Sequence, residues 1–252
     1  MEQAMEEKNS QRRSGASPRT VLAVGFIYLA VGLLFGDIWG GAQHSLSVFD
    51  AFHQWYFYAA GTTWLNTRWL GVPTEKCPLD MWVYQEIIYE TKPDVIIDSG
   101  TYKGGSALFF ASMCDLLNRG RVLSIDIYAY PDRPEHKRIT YLLGSSTSDE
   151  VLAKVKDAIR PGDKVMVCLD SDHHKAHVHN ELRLYSSIVT VGNYLVVEDT
   201  DINGHPVYSR SGPGPMEAVL EFLKTNSNYV QDRSREKFGV TLFPGGWLKR
   251  VR

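Results

Sequence analysis

Val95-Ile96-Ile97-Asp98-Ser99-Gly100-Thr101-Tyr102-Lys103-Gly104-Gly105-Ser106 runs from a β-branched segment through one acidic residue into a glycine-containing turn, and an apolar, alanine-containing stretch comes after it. The β-branched run, set off by Lys92-Pro93-Asp94, predicts a buried strand, and the stretch after the turn predicts a helix. At such a strand–loop–helix junction the free N–H groups and the dipole of the helix face outward, and glycines let a ligand come close to the backbone. The turn is therefore a candidate cofactor cradle, with Asp98, Gly100, Thr101, Gly104, Gly105 and Ser106 as its contact residues.

The spacing narrows the cofactor. Tyr102 stands where the dinucleotide fingerprint G-x-G-x-x-G needs its second glycine, so a pyrophosphate would be crowded. No Lys-Ser/Thr comes after the glycines, so a Walker phosphate loop fails as well. The longer turn, Asp98-x-Gly100-x-x-x-Gly104, resembles the first motif of S-adenosylmethionine-dependent methyltransferases, whose ligand has no phosphate to hold.

Outward from this turn the chain alternates strand and helix. A helix over Leu79–Thr91 leads into the strand Val95–Ser99, and Gly104–Asn118 places Ala107, Phe110, Ala111, Cys114 and Leu117 on one helical face. Further strands lie at Arg121–Ile127, Arg138–Leu143, Lys164–Leu169 and Tyr194–Val197. Helices are predicted at Ser148–Ile159, with Ser148 as N-cap, at His177–Ser187, and at Pro215–Lys224. Short strands at Val240–Phe243 and Leu248–Val251, joined through Pro244-Gly245-Gly246, form a C-terminal antiparallel hairpin. The fold class is α/β, a Rossmann-like, mostly parallel sheet with helices on both faces.

The 252 residues suffice for one catalytic domain with a small appendage. A net charge of −2 with no basic stripe excludes nucleic acid as the expected partner. The three cysteines, Cys77, Cys114 and Cys168, are odd in number and not closely paired, which argues against a disulfide framework or a structural zinc site. Residues 1–20 are polar and read as a disordered lead-in, and Val21–Trp39 is apolar enough to approach the roughly 20 residues that span a bilayer. A membrane anchor or in-plane segment is the expectation there, with a cleaved signal peptide and a buried core helix as alternatives. Arginines ahead of a spanning segment would place the catalytic domain across the membrane, away from cytosolic S-adenosylmethionine. The expectation is thus a membrane-associated chain with a cytosolic catalytic domain. Residues 40–77 form an aromatic-rich connecting region, whose Trp55, Tyr56, Tyr58, Trp64 and Trp69 suit either a membrane interface or packing on the catalytic domain at 78–252.

In an open parallel sheet ligands bind beyond the carboxyl ends of the strands. Asp98, Asp126, Asp170, Glu198 and Asp199 fall at such ends. Asp126, closing the second strand, is placed to accept both ribose hydroxyls of an adenosyl ligand, and Ser145 and Ser146 after the third strand join the cofactor-binding candidates. Converging carboxylates repel unless protonated or bridged by a cation, so Asp170, Glu198 and Asp199 are the candidate ligands of a divalent ion, Mg²⁺ before Mn²⁺ or Ca²⁺. Among His173, His174, His177 and His179, His173 is the candidate general base, and His177 and His179 read as surface or packing residues. His205, on a loop after the acidic pair, is the second candidate base.

Pro93–Thr101 with Gly104–Leu108, Val122–Ile127, Leu169–His173, Val196–Thr200 and Gly212–Ala218, in this order, resemble the cephalosporin hydroxylase and rhamnosyl O-methyltransferase family. The resemblance implies S-adenosylmethionine as cofactor, Mg²⁺ at Asp170, Glu198 and Asp199, and methyl transfer to a hydroxyl of a glycoside, glycolipid or related natural product, with His173 or a water taking the proton. Asp98 stands where the family often has glutamate, and Val21–Trp39 lies outside the resemblance. Two alternatives stay open. One is a non-haem iron and 2-oxoglutarate hydroxylase drawn on His173, His174 and Asp170, and the other is a non-catalytic membrane-associated binding protein. The acceptor, small or lipid-linked, and a homo-oligomeric state are left open.

Overall fold

The computed structural model describes residues 47–210 and 212–252. Residues 1–20 and Val21–Trp39, read above as a lead-in and a membrane segment, lie outside the described residues. Among the described residues no helix is long and apolar enough to cross a membrane.

Helix α1 (Val48–Tyr58) leads through two 3₁₀ turns to a small antiparallel ladder of β1 (Arg68–Trp69) and β2 (Val72–Pro73). The main domain continues with α2 (Pro78–Thr91), β3 (Val95–Ser99), α3 (Gly105–Leu116), β4 (Arg121–Asp126), β5 (Ile139–Leu143) and α4 (Asp149–Ala158). Then come β6 (Val165–Leu169), α5 (Lys175–Tyr185), β7 (Tyr194–Val197), α6 (Pro215–Thr225), β8 (Tyr229–Gln231) and β9 (Trp247–Arg250). The seven-stranded sheet has the order β5-β4-β3-β6-β7-β9-β8, with β3 to β7 parallel and β8 and β9 antiparallel. The chain winds outward from β3 through β4 to β5, returns beside β3 with β6, and winds the other way to β7. The carboxyl ends of β3 and β6 therefore flank the topological switch point, where such sheets hold their ligands.

Both faces of the strands are apolar, so their side chains alternate between two buried layers. Ile97, Leu123, Val167 and Leu195 point to one layer with Val155 of α4, Leu182 of α5 and Phe222 of α6. Ile96, Val122, Cys168 and Val196 point to the other, with Tyr84 and Ile87 of α2 and Phe110 and Cys114 of α3. All three cysteines are free and buried. Ser148 caps α4 by accepting a hydrogen bond from the Val151 N–H at 3.3 Å, and Pro215 opens α6 with Glu217 accepting from the Gly214 N–H at 2.7 Å.

The C-terminal hairpin is present, but its first strand is β8, not the Val240–Phe243 run expected from the sequence. The buried carboxylate of Asp80 on α2 accepts from the Thr241 hydroxyl at 2.5 Å and from the Leu242 N–H at 2.9 Å. The 240–243 segment is held instead by Asp80 and by a Phe243 N–H to Thr241 Oγ1 bond of 3.0 Å, and Tyr229–Gln231 pairs with β9. Burial pushes the Asp80 carboxyl up to about 7. The aromatic region divides its residues: Tyr56 and Trp69 pack against the second core layer, and the His53 ring nitrogen hydrogen-bonds Asp201 at 2.8 Å. Phe49, Phe52, Trp55 and Tyr58 of α1 remain exposed.

Candidate active site

The glycine turn sits at the switch point, as its sequence predicts, and its glycines, which line the cavities above it, also let distant backbones meet. Gly100 has φ +93°, and a Cβ there would overlap the carbonyl of Asp170, so the glycine lets the ends of β3 and β6 meet. A Cβ on Gly105 would overlap the Pro73 carbonyl and Thr74, so this glycine seats the β2 loop on the start of α3, and Gly104 faces Pro134 and Tyr141. The Gly100 and Thr101 N–H groups donate to the Ile125 carbonyl at 2.9 and 3.1 Å, closing the turn on β4. Tyr102, at φ +47°, adopts the left-handed backbone that glycine favours, and its N–H donates to Asp126 at 2.7 Å. Asp98 lies beneath the turn, fully buried, accepting from the hydroxyls of Ser106 at 3.0 Å and Ser124 at 2.8 Å.

Two cavities open above this edge. The larger, of about 430 Å³, is lined by Gly100, Tyr102, Asp126, Tyr128, Ser145 and Ser146 among others. Asp126 Oδ2 is occupied by the Tyr102 N–H and by Arg133 at 2.9 Å, whereas Oδ1 accepts, among the described residues, from the Tyr128 N–H at 2.9 Å and keeps a lone pair for a hydroxyl. Ser146 Oγ meets His177 at 3.2 Å, so His177, read from sequence as a surface or packing residue, borders this cavity. The smaller cavity, of about 260 Å³, is walled by Trp64, Pro73, Leu242 and Phe243 and contains Glu75, Lys76, Asp170, His173, Glu198 and Asp199. The two cavities share Gly100, Tyr102 and Asp170.

At that junction Asp170 is divided between two cations. Its Oδ1 lies 3.2 Å from His173 Nε2, which is also 3.3 Å from Asp199 Oδ2. Its Oδ2 accepts from the buried ammonium of Lys76, which also donates to Glu198 at 2.5 Å. The other Glu198 oxygen accepts from the Tyr84 hydroxyl at 2.7 Å. Burial works to lower the basicity of both cations, but facing carboxylates outweigh it: Asp199 and Asp170 raise His173 to about 9, and Asp170 and Glu198 hold Lys76 well above the usual amine range. Asp170 stays below the usual carboxylate range because Lys76 and His173 outweigh its burial, whereas burial lifts Asp199 to about 7.

The donor atoms of Asp170, His173 and Asp199 lie within 4.8 Å of one another, a set that fits a divalent cation. Of the three carboxylates expected at a metal, Asp170 and Asp199 thus converge with His173, while Glu198 faces Lys76 and Tyr84. His205 is outside both cavities, bound to Glu217 at 2.7 Å near the start of α6. His174 is exposed and pairs with Asp172 at 2.5 Å, so the two-histidine, one-carboxylate arrangement drawn for an iron hydroxylase does not assemble among the described residues. Lys76, Glu75 and Tyr84 are site residues that sequence reasoning misses. An isolated lysine in an aromatic-rich connector carries no signal until the fold lays that connector over the switch point.

The family model described as rhamnosyl O-methyltransferase/CmcI matches residues 61–251, beginning within the region read from sequence as a connector. A rhamnosyl O-methyltransferase of Mycobacterium leprae (strain TN) is 37% identical over 211 residues, covering 81% of this chain and 91% of that protein. One of Mycobacterium tuberculosis (strain ATCC 25618 / H37Rv) is 37% identical over 212 residues, covering 81% and 85%. Among solved structures, apo CmcI superposes with a TM-score of 0.60 at 20% identity over 75% of this chain and 77% of that one, and CmcI with Mg and SAM with a TM-score of 0.56 at 20% identity over 75% and 78%. These structural likenesses show the shared fold. The chain belongs to the rhamnosyl O-methyltransferase/CmcI family.

Proposed function

We propose that this protein is an S-adenosylmethionine-dependent O-methyltransferase acting on a hydroxyl of a glycoside, glycolipid or related natural product, with a divalent cation, Mg²⁺ before Mn²⁺, as its metal. One observation carries the reading: a cavity with an available ribose acceptor and a cavity holding a carboxylate–histidine cluster meet at Gly100, Tyr102 and Asp170. A two-substrate transfer needs this arrangement, in which donor and acceptor face each other across one shared wall.

Bound in the larger cavity, S-adenosylmethionine supplies an electrophilic methyl group. Asp126 Oδ1 is the group to hold its ribose, and Ser145 and Ser146 line the same wall. Asp98 acts from below, fixing Ser106 and Ser124 and with them the turn. In the smaller cavity, Asp170 and Asp199 are the carboxylates to hold a divalent ion, which when bound supplies Lewis acidity toward a hydroxyl oxygen. His173 is the residue to take the hydroxyl proton: with Asp170 and Asp199 free it is held as an imidazolium, and a cation neutralising those two carboxylates would lower its affinity for that proton and free Nε2 as a base. Trp64, Pro73 and Phe243 offer flat apolar surface for a sugar ring and exclude water from it.

A lipid-linked acceptor and work at a membrane surface belong to the same proposal, with the catalytic domain on the cytosolic side. The apolar composition of Val21–Trp39 and the exposed Phe49, Phe52, Trp55 and Tyr58 support it. The test is incubation of the full chain with methyl-labelled S-adenosylmethionine, Mg²⁺ and rhamnosylated glycosides or glycolipid extracts. Labelled ether that disappears on chelation is expected, and label transfer to no hydroxylated acceptor would refute the reading. Sedimentation with anionic vesicles checks the membrane component separately.

A further inference from the structure

We propose that Lys76 is a built-in counter-cation of the site, competing with the divalent metal for Asp170, so that metal binding drives the lysine ammonium off that carboxylate into the open space of the smaller cavity. The inference rests on the divalent-cation reading above and adds what that reading leaves out.

Four observations support it. The Lys76 ammonium is buried and reaches two carboxylates at once, Asp170 and Glu198, so it stands where a bridging cation would stand. Asp170 is also the residue shared with the Asp170–His173–Asp199 cluster, so an ion held by Asp170 is brought against the ammonium and repelled by it. The backbone of Lys76 is tethered: its N–H donates to Thr67 Oγ1 at 3.1 Å, and the one proton of that hydroxyl is shared between the Trp64 carbonyl at 2.8 Å and the Lys76 carbonyl at 3.0 Å. Glu75 ahead of it has φ +54°, a left-handed turn in the connector at this point. With the backbone tethered, displacement falls to the flexible side chain, which already borders the smaller cavity and has that space to enter.

The lysine therefore offsets the charge of Asp170 while no ion is bound, and it weakens metal affinity by the work of displacing it. Adding the metal also places a mobile ammonium beside the acceptor.

The test titrates Mn²⁺ into the full-length protein, with free Mn²⁺ read by electron paramagnetic resonance, for the wild type, Lys76→Met and Lys76→Arg. Lys76→Met is expected to bind Mn²⁺ tighter by on the order of tenfold or more, because a like charge beside the ion is removed. Lys76→Arg, which keeps the charge, is expected to bind no tighter than the wild type. A Met variant binding no tighter than the wild type, or an Arg variant gaining affinity like Met, overturns the proposal while leaving the metal reading intact. Absence of Mn²⁺ binding in all three proteins overturns both. Should Lys76→Met not fold, the wild type decides: acylation of Lys76 by an amine reagent, mapped by mass spectrometry, is expected to rise when Mn²⁺ is added. Unchanged or reduced labelling refutes expulsion.

Discussion

At the scale of single residues, Asp170 is where the two cavities, the two cations and the proposed chemistry meet. Asp170→Asn keeps the shape and removes the charge shared by Lys76 and His173. Its methyl-transfer rate is expected to fall by about 10²–10³-fold, the size of effect seen when a preorganised electrostatic group is lost, with S-adenosylmethionine affinity within about threefold of wild type. Parallel steady-state assays and calorimetric titration separate the two effects. Asp126→Asn makes the opposite split. Loss of a charged acceptor raises the dissociation constant for S-adenosylmethionine by on the order of tenfold or more, with the rate at saturation largely retained. If Asp126→Asn binds the cofactor normally, Oδ1 is not the ribose acceptor.

At the scale of elements, the turn between β3 and α3 binds chain to chain before it binds anything else. Gly100→Ala adds both a left-handed backbone penalty and a collision with the Asp170 carbonyl, so a loss of at least about 2–3 kcal/mol is expected in denaturant unfolding. An unchanged midpoint would mean that the ends of β3 and β6 do not touch as described. The cap of α4 is the smaller, local counterpart. Ser148→Ala removes one acceptor for the Val151 N–H and is expected to cost about 1 kcal/mol without altering activity. Both elements arise from local sequence, but only the glycine joins two distant strands.

At the scale of the whole molecule, stability should depend on ligands and on pH in ways the buried charges set. Asp80 is wholly buried and its carboxyl is raised to about 7, so the folded protein holds this proton more tightly than the unfolded chain. The stability it contributes is full below the unfolded value near pH 4 and is lost as pH rises through about 7, with a slope of at most about 1.4 kcal/mol per pH unit. Asp80→Asn can still accept from Leu242 and pair with Thr241, and it is expected to flatten that part of the stability–pH curve relative to wild type. Identical slopes in urea titrations from pH 4 to 7 would contradict the buried-carboxyl account. S-adenosylmethionine at 100 times its dissociation constant should stabilise the fold by about 2.7 kcal/mol, seen as a raised melting temperature.

The sequence by itself determined the alternation of strands and helices, because apolar periodicity, the Ser148 cap and the Pro215 start are local properties that survive any arrangement of the rest. It also determined which carboxylates stand at strand ends, since strand length fixes where each run stops. Tertiary structure decided three things that no local pattern carries. Asp80 on a distant helix took the donors of Thr241 and Leu242, while the hairpin's first strand is Tyr229–Gln231. Gly100 and Gly105, which border the cavities, also proved to be contacts between distant backbones, a role that sequence spacing does not show. Lys76, whose neighbours along the chain give no hint of chemistry, was placed between Asp170 and Glu198, 94 and 122 residues away. Charge pairing at such separations depends on where the fold brings side chains out of water, and the chain folds the Lys76 connector directly onto the turn at Gly105.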